Sequence, residues 1–302
     1  MEVVITDMDY EVDYFEGKTR KILVLGSGGQ VGAYLTEYLR CADVEVMEFD
    51  ITNGPDQDMT VIPNGELEAK IYMADFVYFL AFDVGGSHYL KKYQHTFNFI
   101  DNNTRLMANA FGLIEKYKKP FVFASSQMSN MSYSPYGVLK RVGELYTKSL
   151  GGLIVKFWNV YGIEKDMDKA HVITDFIRKG FETGVIDMMT DGTEAREFLY
   201  AEDCCEALET VMDEYDNLSC DDELHITTGE YTTILEIAEE IKLLFFSIGK
   251  KITVIPDEKK DSVQRDARNE PDPFIKKFWQ PKTSVPEGLK KVFDEMKKDY
   301  DS

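Results

Sequence analysis

The sequence predicts a doubly wound α/β fold, in which a parallel sheet is covered by helices on both faces. Three observations predict it: short aliphatic runs that recur along the first half of the chain, segments of helical period between them, and a glycine-rich turn after the first run. Unbroken apolar runs are typical of strands that are buried on both faces. The predicted strands cover residues 21–25, 44–49, 76–81, 121–124 and 153–157.

The first strand leads into the loop GSGGQVG, residues 26–32, and then into a helical segment. In this context Gly26 is expected to form the tight turn, Gly29 to admit a pyrophosphate, and Gly32 to let the helix pack on the sheet. The phosphates would lie at the N-terminus of that helix. Glycines also occupy ordinary strand-to-helix turns, so the loop alone is weak evidence for a cofactor.

The second strand ends at Asp50, which lies 18 residues after Gly32. An acidic residue about 20 residues past such a loop accepts hydrogen bonds from an adenosine ribose. Because a carboxylate repels a 2′-phosphate, Asp50 predicts NAD rather than NADP. The alternative is an ordinary turn aspartate at a strand end.

The fourth strand ends at Ser125-Ser126, and Tyr136 and Lys140 follow on a predicted helix. Residues four apart share one helix face, so the ammonium is expected to lie beside the phenol and to lower its pKa. This arrangement would make Tyr136 an acid/base near neutral pH, with the Ser126 hydroxyl holding the reacting oxygen. A tyrosine and lysine at this spacing are also common on solvated helices.

After about residue 165 the pattern changes to strands and helices that cannot extend one parallel sheet. The predicted organisation is an N-terminal extension over residues 1–20, a cofactor domain over 21–165 with a return segment at about 196–226, and a smaller substrate domain over 166–195 and 227–302. No function is assigned to the extension.

The amino-acid composition disfavours some classes of binding partner. The 302 residues include 54 acidic and 34 basic side chains, a net charge of −20, which disfavours nucleic acid and anionic membranes as partners. No basic leader, no apolar run of membrane-spanning length, no C-x-x-C pair and no zinc-ligand spacing occur. We therefore expect a cytoplasmic protein with reduced cysteines and no metal site.

The ordered motifs resemble those of the extended short-chain dehydrogenase/reductases, the family of NAD-dependent nucleotide-sugar epimerases, dehydratases and reductases. The likeness runs from about residue 21 to 295 and includes FVYFLA, FASS, FWNVYG, REFLY and WQPKTSVPEGL. It implies a Rossmann-type domain with a smaller C-terminal sugar-nucleotide domain, and a homodimer. The cofactor-binding residues it implies are Gly26, Gly29, Gln30, Val31, Gly32, Asp50, Leu80, Ala81, Asn103, Tyr136, Lys140 and Asn159.

Local likenesses within the family favour a GDP-sugar substrate. LAFDVGG resembles the substrate loop of GDP-mannose 3,5-epimerase, and the region of His171 resembles GDP-fucose synthase, whose matching histidine is a general acid. His171 is equally readable as a helix-terminal residue at a domain interface. The substrate-binding candidates are Gly85, Gly86, Ser126, Gln127, Asn159, Val172, Lys179, Arg196, Arg265 and Arg268, the basic ones as diphosphate ligands.

Two departures from the family patterns disfavour particular reactions of the family, namely 3,5-epimerisation and dehydration. Met128 stands where the 3,5-epimerase and the fucose synthase carry a cysteine, and Gln127-Met128 replaces the Asp-Glu pair of the dehydratases. What remains is hydride transfer at C4 with Ser126, Tyr136, Lys140 and His171 as catalytic candidates. The sequence thus predicts a 4-epimerase, with a 4-keto-sugar reductase or a catalytically silent NAD-binding protein as alternatives.

Overall fold

The computed structural model describes residues 19–264 and 270–301, so residues 1–18 of the predicted extension lie outside it. The strands are β1 (Arg20–Leu25), β2 (Val44–Phe49), β3 (Phe76–Phe79), β4 (Phe121–Ser126), β5 (Leu153–Phe157), β6 (Asn159–Tyr161), β7 (Val185–Asp187), β8 (Ala195–Tyr200), β9 (Leu224–Ile226), β10 (Tyr231–Thr233) and β11 (Thr253–Ile255). The helices are α1 (Gln30–Arg40), α2 (Gly65–Met73), α3 (Ser87–Tyr93), α4 (Phe97–Tyr117), α5 (Pro135–Leu150), α6 (Val172–Thr183), α7 (Ala201–Asp213), α8 (Ile234–Ser247) and α9 (Val285–Asp301).

A six-stranded sheet forms the centre of the molecule, in the order β2-β1-β3-β4-β5-β9. Every neighbouring pair in it is parallel. The predicted doubly wound α/β fold is therefore confirmed. The chain moves to opposite sides of β1 when it forms β2 and β3, which opens a crevice at the carboxyl ends of the strands.

Alternate side chains of the central strands enter two different cores, as expected of a sheet covered on both faces. Ile22 and Val24 of β1 pack in the core that includes α1 and α7. Leu23 and Leu25 pack in the core that includes α2, α4 and α5. The strand predicted over residues 76–81 ends at Phe79, and the strand predicted over 121–124 continues to Ser126.

The later segments build a second packing unit. β8 pairs with β6 in parallel and with β10 in antiparallel orientation, and β7 pairs with β11. A third core forms where α6, α8 and α9 meet, while β9 returns to the central sheet beside β5. The proposed boundaries of the cofactor and substrate domains stay a prediction.

No helix among the described residues is long and apolar enough to cross a membrane.

Candidate active site

One large cavity, of about 1430 Å³, lies along the carboxyl ends of the parallel strands. The glycine loop after β1 and the end of β2 form part of its wall, and the ends of β4 and β5 form another part. In open α/β sheets ligands bind at this edge, beside the point where the strand order reverses. The cavity thus joins the predicted cofactor loop to the predicted catalytic residues.

The glycine loop is packed so closely that three of its positions exclude a side chain. Gly26 has φ +90°, and a Cβ there would lie 2.5 Å from the Ala81 nitrogen. A Cβ at Gly32 would lie 2.0 Å from the Gly26 oxygen, and one at Gly28 would lie 2.2 Å from the Thr52 hydroxyl. The sequence interpretation did not single out Gly28, because its close neighbours come from a distant turn.

Gly29 has a different role from these three glycines. It is the N-cap of α1, and a Cβ there would meet no described atom outside its immediate chain neighbours closer than 3.4 Å. No side chain caps the helix, so its first N–H groups are left for another acceptor. This open helix N-terminus fits the pyrophosphate of a dinucleotide.

Asp50 lies at the cavity and also caps a short turn. Its Oδ1 accepts hydrogen bonds from the Thr52 N–H at 2.9 Å and the Thr52 hydroxyl at 2.7 Å. Within residues 19–264 and 270–301, no hydrogen bond to its second oxygen, Oδ2, is present. Asp50 therefore does stabilise a turn, which was the alternative to ribose binding. Its Oδ2 can still accept a hydrogen bond from a ribose hydroxyl.

Ser126, Tyr136 and Lys140 meet at the cavity wall, all three nearly buried. Ser126 ends β4, and its Oγ accepts the Met128 N–H at 3.1 Å. Tyr136 and Lys140 lie one helical turn apart on the buried face of α5, as their spacing predicts. The structure thus brings three of the four predicted catalytic side chains to one place.

The electrostatics of this group differ from the sequence expectation. Burial raises the pKa of Tyr136 to about 12, and its interaction with the Ser126 side chain offsets only part of that rise. Lys140 does not lower the Tyr136 pKa, because its Nζ lies 5.9 Å from the ring centroid and donates to the Ala124 carbonyl at 2.6 Å. Burial lowers the pKa of Lys140 itself to about 7, although Glu144 opposes this.

Phe82 is a site residue that the sequence interpretation missed. Its ring centroid lies 3.9 Å from the Lys140 ammonium, and its ring packs edge-on against Tyr136 at 5.7 Å. The stretch LAFDVGG was noted for its glycines rather than for its phenylalanine. Only the packing of the loop after β3 against α5 shows the contact.

His171 lines the cavity and is held by a buried carboxylate. Glu164 accepts the His171 backbone N–H at 2.7 Å and contacts the ring Nδ1 at 2.7 Å. Desolvation lowers the pKa of His171, but the charge of Glu164 and its hydrogen bond raise it more, so the net shift is upward. If Nδ1 carries the proton in this contact, Nε2 is the atom left to exchange a proton with a ligand.

Gly85 and Gly86 line the cavity where two loops meet. A Cβ at Gly85 would lie 3.0 Å from the Lys169 Cα, and one at Gly86 would lie 2.5 Å from the Ala170 oxygen. Lys169 also pairs with Asp83 at 3.2 Å. The absence of side chains at the two glycines thus allows the loop before α6 to close on the loop after β3.

Further predicted binding residues also reach the cavity. They are Gln30, Val31, Leu80, Ala81, Gln127 and Asn159. The Asn159 Nδ2 is buried and has no hydrogen-bond partner among the described residues. An unpaired buried donor carries a free-energy cost that a ligand oxygen would relieve.

Several predicted residues are not brought to this cavity. Asn103 is fully buried and holds Asp83, donating to its carbonyl at 3.1 Å and accepting its N–H at 2.8 Å. Lys179 pairs with Asp175 and Asp187 in the second unit and does not line the cavity. Val172 packs against the third core.

Of the arginines predicted as diphosphate ligands, the structure describes Arg196. Arg196 lines a small pocket that shares Gln127 and Asn159 with the wall of the large cavity, and its guanidinium is paired with Asp261 at 2.5 Å. Arg265 and Arg268 lie outside the described residues. Any phosphate at Arg196 would therefore have to compete with a carboxylate.

Comparisons with known proteins find relatives of this chain. A model of the NAD dependent epimerase/dehydratase family matches residues 22–226. A GDP-L-fucose synthase from Sinorhizobium fredii is 28% identical over 173 residues, covering 53% of this chain and 53% of the relative. A putative UDP-glucose 4-epimerase from Methanocaldococcus jannaschii is 31% identical over 176 residues, covering 54% of this chain and 53% of the relative.

Each of these alignments thus spans about half the length of the curated relative. An epimerase structure from Methanothermobacter thermautotrophicus superposes with a TM-score of 0.80 at 18% identity and covers 94% of both chains. At that identity the superposition shows the shared fold and carries no argument about the substrate.

Proposed function

The chain belongs to the NAD-dependent epimerase/dehydratase family, and from that premise we propose that it is a nucleotide-sugar 4-epimerase. The observation that carries the proposal is the meeting of Ser126, Tyr136 and Lys140 in the cavity that begins at the glycine loop. The substrate is a nucleotide-diphosphate sugar. GDP-sugars are the first candidates because of the motifs around Gly85 and His171.

The residues at the reacting carbon have simple roles. The Ser126 hydroxyl hydrogen-bonds the oxygen on C4, and the Tyr136 oxygen takes the proton from that hydroxyl and later returns it. Lys140, whose ammonium already donates to the Ala124 carbonyl, would use a remaining N–H to hold a ribose hydroxyl of a bound NAD. A bound NAD, held by the glycine loop and Asp50, would supply the acceptor and donor of the C4 hydride.

The neighbours of Ser126 restrict the chemistry. Gln127 and Met128 follow it, and neither an amide nor a thioether can remove a proton from a sugar carbon. The Gln127 amide donates to Gln264 at 3.1 Å, and the Met128 side chain packs in the core. These side chains favour hydride exchange at C4 over C3 or C5 epimerisation.

A 4-keto-sugar reductase is the second candidate, and the pKa of Tyr136 favours it. With a pKa of about 12, Tyr136 holds its proton at neutral pH. A reductase starts from this acid form, because the tyrosine donates to the ketone oxygen as hydride arrives. An epimerase must first lose that proton. His171, fixed by Glu164, would provide a second acid at the same cavity.

Replacing Tyr136 with phenylalanine tests the proposal. We expect the turnover rate of Y136F to be about 10²–10⁴-fold lower than that of the original chain. Its affinity for NAD should be nearly unchanged. The control is Y133F, whose hydroxyl contacts the Met131 sulfur outside the reacting group. An active Y136F would contradict the mechanism, and an original chain that binds NAD but turns over no sugar nucleotide would indicate a silent NAD-binding protein.

Product analysis separates the two enzymes. The protein is incubated with GDP-, UDP-, dTDP- and CDP-sugars, and the configuration at C4 is read by NMR. Retained NAD, released only by denaturation, with an inverted C4 supports the epimerase. Dependence on added NADH with a 4-keto substrate supports the reductase instead.

We also propose that the protein is a homodimer. The solvent-facing side of α5 exposes four apolar residues: Val138, Val142, Leu145 and Tyr146. The start of the adjacent α4 exposes two more, Phe97 and Ile100. The two helices pack side by side, with the rings of Phe111 and Tyr146 stacked at 5.0 Å. A contiguous apolar surface of this kind is typical of an interface between protein subunits.

A further inference from the structure

The Lys140 ammonium lies at the cavity wall but is almost completely shielded from it. The residue is 4% exposed, and one of the three N–H donors of its ammonium is used by the Ala124 carbonyl. Two aromatic rings lie nearest to the ammonium, Phe82 at 3.9 Å and Phe123 at 5.2 Å, and the Tyr136 ring is farther away at 5.9 Å. Phe123 is fully buried in the core, whereas Phe82 lines the cavity, so Phe82 is the ring that separates Lys140 from an incoming ligand.

The backbone on both sides of Phe82 is anchored. The Leu80 N–H donates to the Leu25 carbonyl at 2.9 Å. Asp83 exchanges two hydrogen bonds with the buried Asn103 side chain. A change in the position of the Phe82 ring is therefore a rotation of its side chain rather than a movement of the loop.

We propose that Phe82 is a gate over Lys140, closed in this structure, which must turn away before a cofactor ribose hydroxyl can hydrogen-bond the ammonium. The inference rests on the proposed function, in which Lys140 serves a bound dinucleotide. In the closed position the ring satisfies the ammonium by a cation–π contact and keeps water from it. The same ring packs against the Tyr136 ring at 5.7 Å, so its rotation also changes the surroundings of the phenol.

The gate has a measurable consequence for affinity. A ligand that binds only the open form has its apparent affinity reduced by the fraction of molecules that are open. Removing the ring abolishes the closed state, so NAD should bind more tightly although the variant has lost an apolar contact. A purely structural phenylalanine would give the opposite result, because its loss would loosen the site.

The test measures NAD binding to the purified full chain by calorimetry. We expect F82A to bind NAD about tenfold more tightly, and F82L, which keeps apolar volume but has no ring face, about threefold more tightly. The matched control is F246A, which removes an exposed phenylalanine ring of α8 that does not line the cavity and should change the affinity less than twofold. Because F82L is the milder change, it keeps the test decisive if F82A folds poorly.

A second measurement needs no cofactor. Lysines of the NAD-free protein are acetylated briefly with acetic anhydride, and the labelled peptides are quantified by mass spectrometry. In F82A we expect Lys140 to react about tenfold faster than in the original chain, relative to the exposed Lys148 as internal reference. Unchanged labelling would mean that the ring does not cover the amine.

The outcomes separate the gate from the proposed function. Equal or weaker NAD binding by both F82A and F82L would overturn the gate and leave the proposed function standing. Failure of the original chain and of every variant to bind NAD would overturn both. Tighter binding with faster labelling of Lys140 would support the gate.

Discussion

Replacing Lys140 with methionine should change the pH dependence of stability in the NAD-free protein. Burial lowers the pKa of Lys140 from 10.5 to about 7, with Glu144 opposing the change. Methionine has a similar length and carries no charge, so K140M removes the titration and keeps most of the packing. The prediction concerns the difference in the free energy of unfolding between K140M and the original chain, in which the contributions of the other titrating groups cancel.

The magnitude follows from the two pKa values. They differ by about 3.5, and each pKa unit corresponds to about 1.4 kcal/mol, so a charged Lys140 costs the folded protein about 5 kcal/mol. Between pH 7 and pH 10.5 the unfolded chain binds this proton and the folded chain does not, so stability rises with pH. The cost is complete below about pH 7 and absent above about pH 10.5.

We therefore expect the stability of K140M relative to the original chain to be about 4 kcal/mol more favourable at pH 6 than at pH 10. The assay is urea unfolding followed by tryptophan fluorescence at both pH values, without NAD. The control is K148M, which removes an exposed lysine of the same helix that pairs with Asp221 at 2.9 Å. A stability difference for K140M that stays constant between pH 6 and pH 10 would refute the argument that Lys140 is held in a dry site.

Three further predictions address other parts of the site. G28A should weaken NAD binding at least tenfold in calorimetry, because its Cβ displaces the Asp50 carboxylate; unchanged affinity would remove Asp50 from the cofactor site. E164Q should lower the pKa of His171 in an NMR titration, because the charge that raises it is lost, and an unaltered titration would mean that the pair does not form in solution. L145E should convert dimers to monomers in sedimentation velocity with little change in the far-ultraviolet circular dichroism; dimers that persist would place the interface elsewhere.

Much of the framework could be predicted because its signals are local in the chain. The strand, glycine loop and helix over residues 20–40 are contiguous, and the helical period places Tyr136 and Lys140 on one face of α5. Asp50 follows its strand directly, so its place at the edge of the sheet also follows from the chain order. These features depend on neighbours a few residues away, which periodicity and turn chemistry describe.

Other parts of the site depend on contacts between distant segments. Gly28 is required by Thr52, and Asn103 supports the loop at Asp83 instead of facing the cavity. Lys179 was a diphosphate candidate by its charge, yet two aspartates use that charge. A residue type indicates which interactions are available, but the partner that takes them is decided by packing.

The sequence by itself determined the fold class, the NAD-dependent family and the identities of the side chains around the reacting carbon. Only the tertiary structure decided the state of those side chains: a protonated Tyr136, a Lys140 bonded to Ala124 and covered by Phe82, and a His171 held by Glu164. The physical reason is that pKa values and donor partners are set by desolvation and by charges within a few ångströms. Those neighbours come from strands, helices and loops that lie far apart in the chain and meet only when it folds.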